Sequence, residues 1–329
     1  VGFPVTSDAG RPGSRSAGRG PVTIGLLAVV VVAGCVAAGC RVEPSPAGPG
    51  SGGSDPTGAL DGGDGSGGGG GDGPDRAARS IAPGTGRSAR LLRLADGDSG
   101  WFEIDGREVE IRLLGYNAPE RLEGDGGPPS CNGEAARAAL VGLLDGAATV
   151  EAVGDERDRF DRVLVDLAVD GTSAVDRLVA TGRGLAIGDD DPYRRDLMRE
   201  AAALRLGLWG DACGRPAAAG IEVAAVEADP PGRDEDDLNG EWVELVNRGP
   251  GPVDLAGWDI RDDSSSHRFD LDGAGTIEPG DTLVVRTGAG RPAPGELFLG
   301  SSTPVWSNRA DSVLVIDPAG VVAAWAFVG

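Results

Sequence analysis

Residues 90–95, 101–104 and 109–113 read as strands, and the last of them alternates apolar and polar positions with period two, the pattern of a half-buried strand. The last two runs flank Asp105-Gly106, a dipeptide suited to a tight hairpin turn. Residues 149–153 and 163–169 read as two more strands. Helical spacing appears over 133–144, with Asn132 placed to cap its start, and again over 175–181 and 193–206. The pattern then changes. From residue 217 onward no helix-period segment of useful length occurs. Short apolar runs at 221–226, 242–246, 281–286, 312–316 and 321–327 are separated by Gly, Pro and Asp, which predicts an all-β sandwich. Asp317-Pro318-Ala319-Gly320 supplies the last hairpin turn.

The N-terminal portion follows neither pattern. Arg11, Arg15 and Arg19 precede residues 21–40, which carry no charge and are mostly Val, Ala, Leu and Gly. This is the layout of an export signal or membrane anchor. Val32-Ala33-Gly34-Cys35 and Ala37-Ala38-Gly39-Cys40 both have the form of a lipoprotein cleavage box, making Cys35 and Cys40 lipidation candidates. A single membrane span and simple secretion are the alternatives. All three put the body of the protein outside the cytoplasm. Residues 41–87 are low-complexity Gly, Ser, Pro and Asp, expected to form a flexible tether. The remaining cysteines, Cys131 and Cys213, are expected to pair as a disulfide in an oxidising compartment; two free buried thiols are the alternative.

Charge narrows the function classes. The chain has 329 residues and a formal net charge of -22. Its cations are all arginine, the side chain whose planar fork grips phosphate bidentately. Residues 89–213 carry about 15 Arg against about 25 Asp and Glu, and residues 214–329 about 8 against about 20. Neither segment is a basic platform, which argues against general nucleic-acid binding through phosphate neutralisation. Any such chemistry must use a local patch.

One patch stands out. Arg112 ends a strand, and Glu120 follows a turn braced by Pro119. Asp96-Gly97-Asp98 lies upstream and Asp158-Arg159-Phe160-Asp161-Arg162 downstream. Two guanidinium forks, a candidate general base and an oxygen cluster for a hard cation suit phosphodiester cleavage. Singly, each feature has a plainer reading: an Asp-Gly turn, a strand-edge ion pair, a helix-start carboxylate, a solvated charge run.

As an ordered set, with Arg112-Leu113-Leu114, Asn117-Ala118-Pro119-Glu120 and Gly207-Leu208-Trp209-Gly210, these motifs resemble the thermonuclease (micrococcal-nuclease-like) family over about residues 88–213. The resemblance implies an α+β, OB-type five-stranded barrel with three helices. It implies a nuclease acting on single-stranded DNA or RNA, with Arg112, Glu120 and Arg162 catalytic. Calcium (Ca2+) would be held by Asp98, Asn117 and the backbone carbonyl of Ala118. The chain departs from the pattern at Asn117, where many relatives have Asp, at Ala118, which lacks a hydroxyl, and at Asp161, usually Gly. Asp161 is expected to pair with Arg162 and compete with phosphate. Gly188-Asp189-Asp190-Asp191-Pro192 replaces a segment that carries base-stacking aromatics in relatives; a solvated loop before a helix N-terminus is its simpler reading. Together these changes leave a second reading, a catalytically weak binding protein on the same barrel.

Leu238-Asn239-Gly240-Glu241-Trp242, Val253-Asp254-Leu255-Ala256-Gly257-Trp258, Pro279-Gly280-Asp281 and Pro304-Val305-Trp306-Ser307-Asn308 resemble the lamin-tail domain, an immunoglobulin-like fold, over residues 217–329. Its tryptophans are expected in the core. His267, the single histidine, has no evident partner and reads as a surface residue. Asp234-Glu235-Asp236-Asp237 with Asn239 reads as a solvated acidic loop, with calcium binding the alternative.

Overall fold

The computed structural model of the chain describes residues 78–120, 131–188, 191–210, 216, 220–264 and 267–329. The export segment with Cys35 and Cys40, and the tether up to residue 77, lie outside the described residues. So do Cys213, the side chain of Cys131, and Asp189 and Asp190. Among the described residues no helix is long and apolar enough to cross a membrane.

Five strands build the barrel: β1 (Arg87–Leu94), β2 (Ser99–Ile104), β3 (Arg107–Leu113), β4 (Val150–Val153) and β5 (Val163–Val169). They hydrogen-bond in the order β3-β2-β1-β4-β5, and a further β3–β5 pairing closes the circle. Closure removes the open edges that a flat sheet would leave. The closing pair is parallel, with Ile111 opposite Val163, Arg112 opposite Leu164 and Leu113 opposite Val165. The β2–β3 turn takes left-handed backbone at both Asp105 (φ 51) and Gly106 (φ 71), the geometry a two-residue hairpin requires. Phe102, Ile104, Ile111, Leu113, Val165 and Leu167 fill the interior.

Helices α1 (Cys131–Leu144), α2 (Ala174–Ala180) and α3 (Pro192–Ala203) pack on the barrel. Helix α1 starts before Asn132, so Asn132 sits in its first turn rather than at the cap. Helix α3 stops at Ala203, earlier than its apolar spacing suggests, and Asp191 caps its start by accepting from the Arg194 N–H. Part of the expected tether is also ordered. Arg79 pairs with Asp176 at 2.8 Å and with Asp191 at 2.7 Å, and the Ile81 N–H donates to the Gly171 carbonyl at 2.8 Å. The chain therefore joins the barrel several residues before β1.

The sandwich consists of two four-stranded sheets. In one, β6 (Ile221–Glu227), β7 (Trp242–Asn247), β10 (Thr282–Arg286) and β11 (Glu296–Phe298) lie in the order β11-β10-β7-β6. In the other, β8 (Asp259–Arg261), β9 (Arg268–Asp270), β12 (Asp311–Ile316) and β13 (Val322–Val328) lie in the order β9-β8-β12-β13. Trp258 and Trp306 are buried in its core, as expected, while Trp242 is only half-buried.

The sandwich packs directly against the barrel. Every residue of β12 is buried. Val313 and Val315 face the sandwich core, whereas Leu314 and Ile316 join the barrel's apolar cluster. Alternating side chains point to opposite faces of a strand, so a run that is apolar at every position needs cover on both sides. On the neighbouring β13, Trp325 and Phe327 lie 5.4 Å and 5.6 Å from the ring of the buried Trp209. Trp209 thus closes the barrel by meeting the sandwich.

Candidate active site

The Asp96-Gly97-Asp98 turn joins β1 to β2. Asp96 Oδ1 accepts from the backbone N–H groups of Asp98 and Ser99, both at 3.0 Å, which shapes the turn. Gly97 is required by crowding: a Cβ there would lie 2.7 Å from the Ala136 Cβ and 2.9 Å from the Ala118 Cβ. Asp98 is left to face the site. It is buried, pairs with Arg112, and accepts from the Ala118 N–H at 2.8 Å.

The parallel β3–β5 register brings the two arginines to one end of the barrel. Arg112 lies opposite Leu164, and Arg162 immediately precedes β5. Burial lowers the Arg112 pKa first, and repulsion from Arg162 lowers it further. Glu120 is half-buried beside them. Its burial, then Asp96, raise the carboxyl above the usual range, while Arg112 and Arg261 pull it back. A partly desolvated carboxylate between cations is the environment in which a general base is tuned. The structure therefore gathers Asp98, Arg112, Asn117, Ala118, Glu120 and Arg162 at one end of the barrel.

Arg162 is held differently from expectation. Its partner is Asp158, not Asp161: Nε and Nη2 reach the Asp158 carboxylate at 2.8 and 2.7 Å. Asp158 also accepts from the backbone N–H groups of Phe160 at 2.9 Å and Arg162 at 3.0 Å. Burial opposes its charge, but the Arg162 hydrogen bonds outweigh it and hold the carboxyl below its usual range. Asp158 thus orients Arg162, a role that the sequence did not signal.

Asp161 turns away and pairs with Arg157 at 3.1 Å. Its backbone is left-handed (φ 67), which explains why glycine is usual at this position. Asp161→Gly should raise stability by about 0.5–1 kcal/mol by relieving this conformation. Urea unfolding checks this, and a loss of stability would contradict it.

Asn117 also has a structural reason. Its Oδ1 accepts from Arg112 Nη2 at 3.0 Å, and its Nδ2 donates to the Asp263 carbonyl of the sandwich at 2.9 Å. An aspartate could accept the first bond but not donate the second. Asn117→Asp should leave that buried carbonyl unpaired and cost about 1–3 kcal/mol. A thermal melt unchanged from wild type would contradict this.

Asp98 and Asn117 both present oxygen to the Arg112 guanidinium, so these acceptors converge on one positive group. With the Ala118 backbone they offer hard oxygen ligands of the kind a calcium ion takes, although Asp98 is their one carboxylate. Among the described residues no group of three or more His, Cys, Asp or Glu is arranged to hold a metal. That includes the Asp234–Asp236 turn, where Glu235 and Asp236 are exposed and Asp234 is half-buried.

The site extends beyond the barrel. A cavity of about 50 Å³ is lined by Asn117, Ala118, Glu120 and Asn132 on one side and by Arg261 and Arg268 on the other. Arg261 was not legible as a site residue, since nothing in its local sequence marks it. His267, expected to lack a partner, is half-buried with Nδ1 2.7 Å from Asp262 Oδ2.

Two comparisons bear on this geometry. Residues 215–329 match the family model of the Lamin Tail Domain. Over 126 residues, 37% of this chain and 77% of the relative, the sequence is 30% identical to an uncharacterized endonuclease of Escherichia coli. The chain belongs to the family of that endonuclease, and it carries a lamin tail domain C-terminal to its barrel.

Proposed function

We propose that the chain is a nuclease that hydrolyses phosphodiester bonds of single-stranded DNA or RNA, and that it works with calcium outside the cytoplasm. The carrying observation is that the parallel β3–β5 register brings Arg112 and Arg162 to one end of the barrel, with Glu120 beside Arg112. In this reading Glu120 takes the proton of an attacking water. Arg112 and Arg162 hold the equatorial phosphate oxygens, where charge accumulates in the transition state. Asp158 keeps the Arg162 fork in place. Calcium, held by Asp98, Asn117 and Ala118, would polarise the phosphoryl group. The similarity to an endonuclease supports the reaction class. The arginine-flanked apolar stretch at residues 21–40 supports export, with a lipid anchor at Cys35 or Cys40 as the preferred form.

A weak binding protein is the second reading. It is favoured by the ion pairs of Arg112 with Asp98 and Arg162 with Asp158, which phosphate must compete with. Cleavage of single-stranded DNA and RNA by the purified chain, with calcium and with chelator, separates the two. Calcium-dependent nicking supports the nuclease. Binding without cleavage under any divalent cation rejects it.

A further inference from the structure

We propose that Arg261, supplied by the lamin tail domain, is a positioning residue of the nuclease site that holds a phosphate of the nucleic acid beside Glu120. The inference rests on the nuclease reading for its reaction, but its binding claim can be tested separately.

The first ground is place. Arg261 ends β8 and lines the same cavity as Asn117, Ala118 and Glu120. The cavity, about 50 Å³, is several times what one water needs. Leu185, Leu208, Leu314, Ile316 and Val322 make up an apolar part of its wall, so a phosphoryl oxygen entering it would meet Arg261 and Arg268 as the cations of the lining.

The second ground is how the guanidinium is held. Its Nε donates to the Asp262 carbonyl at 3.1 Å and its Nη2 to the Ser264 carbonyl at 2.8 Å. Both partners are neutral. Among the described residues Arg261 forms no ion pair, although it is only 7% exposed. Its neighbours differ: Arg112 pairs with Asp98, Arg162 with Asp158, Arg195 with Asp263 and Arg268 with Asp259. The adjacent carboxylate of Asp262 is engaged by Ser264 and His267. Arg261 is therefore a fixed, buried cation whose fork is not committed to a carboxylate. The nearby Asp262 carboxylate favours its charge without bonding its fork, so an anion bound at the fork would further offset the desolvation of the guanidinium.

The third ground is rigidity. The segment after β8 is tied to the barrel by the Asn117 bond to the Asp263 carbonyl and by Arg195, which reaches the Asp263 carboxylate at 2.8 Å and the Ala310 carbonyl at 3.0 Å. Leu314 and Ile316 of the adjoining β12 are set in the barrel cluster. Arg261 is thus positioned relative to Glu120 as firmly as a residue of the barrel. In a domain short of positive charge, one further arginine at the phosphate has large leverage.

The test uses the full chain with Arg261→Ala, Arg261→Lys and, as a charge control, the exposed Arg291→Ala. Affinity for a fluorescent single-stranded oligonucleotide is read by anisotropy across a salt series, in a Glu120→Gln background that blocks cleavage. KM and kcat are read with Glu120 intact. Arg261→Ala should weaken binding about tenfold and reduce the salt slope by about one. It should raise KM more than it lowers kcat, with Arg261→Lys intermediate and Arg291→Ala near wild type. Binding by Arg261→Ala equal to wild type, or no oligonucleotide binding by any form, overturns the inference. A lower melting temperature with unchanged salt slope and KM also overturns it, making Arg261 structural. If the wild type binds but never cleaves, the nuclease reading fails while the binding series still decides Arg261.

Discussion

Glu120→Gln should lower the rate of phosphodiester cleavage by about 10²–10⁴-fold, the usual span for loss of a general base. The amide keeps the size of the side chain but cannot take a proton. The surroundings of Glu120 raise its carboxyl above the usual range, which suits a group that takes a proton. Arg112 and Arg261 favour its ionised form against the opposing effects of burial and Asp96. Because the side chain is only half-buried, its replacement should leave the fold intact. The variant should therefore melt near wild type and bind oligonucleotide at least as well, since one negative charge has gone from the phosphate site. Single-turnover cleavage measures the effect. Equal rates for variant and wild type would remove Glu120 from the mechanism.

Arg194→Met should cost about 3–5 kcal/mol, the range for breaking a buried ion pair from one side. That is a large part of the 5–15 kcal/mol that holds a typical domain. Arg194 is buried in α3 and joins three elements. Its Nε donates to Asp176 of α2 at 2.8 Å, Nη2 pairs with Asp166 of β5, and Nη1 donates to the Leu114 carbonyl at 2.9 Å. Met fills much of the space but leaves Asp166 without its cation, the Leu114 carbonyl without its donor, and Asp176 with Arg79 alone. Leu114 begins the turn that leads from β3 to Asn117, so cleavage should fall with stability.

The same network sets a pH dependence. Burial alone would raise the Asp176 carboxyl, but hydrogen bonds from Arg79 and Arg194 overcome it and hold it down to about 2, below its ordinary 3.8. A depressed carboxylate contributes stability above its unfolded pKa and loses it as the pH falls through the folded one. Wild-type stability should therefore fall between about pH 4 and pH 2, with a shallower slope in Arg194→Met. Denaturant unfolding at several pH values measures both effects. A cost below about 1 kcal/mol with unchanged slope would show that Arg194 does not organise this network.

Local rules carried much of the fold. Short apolar-rich runs located all five barrel strands, and in β3 strict alternation also showed which face meets the core. Asp105-Gly106 set its hairpin through a backbone that favours those residues. Helix ends were less legible. Asn132 resembles a cap, but α1 begins before it, and α3 ends short of its apolar pattern. The tether was misjudged at its end for a related reason. Arg79 looks solvated by composition, yet Asp176 and Asp191, about a hundred residues away, bind it.

The candidate site divides the same way. Arg112, Glu120 and Arg162, with Asp98, Asn117 and Ala118, were legible because strand ends and tight turns carry them in a fixed order. The partner of Arg162 was not, since the left-handed backbone at Asp161 directs that side chain to Arg157 and leaves Asp158 to hold the arginine. Nor was Asn117, whose amide answers to a carbonyl 146 residues away.

By itself the sequence determined two β-rich domains, the set of charged side chains at the end of the barrel and its shortage of positive charge, because those follow from side-chain types at short spacing. Only the tertiary structure decided that the domains share a surface. Leu314 and Ile316 read as one face of a sandwich strand, yet they pack into the barrel, and that packing brings Arg261 to Glu120. Contacts between residues so far apart in the chain depend on how two folded surfaces fit, which no local pattern records.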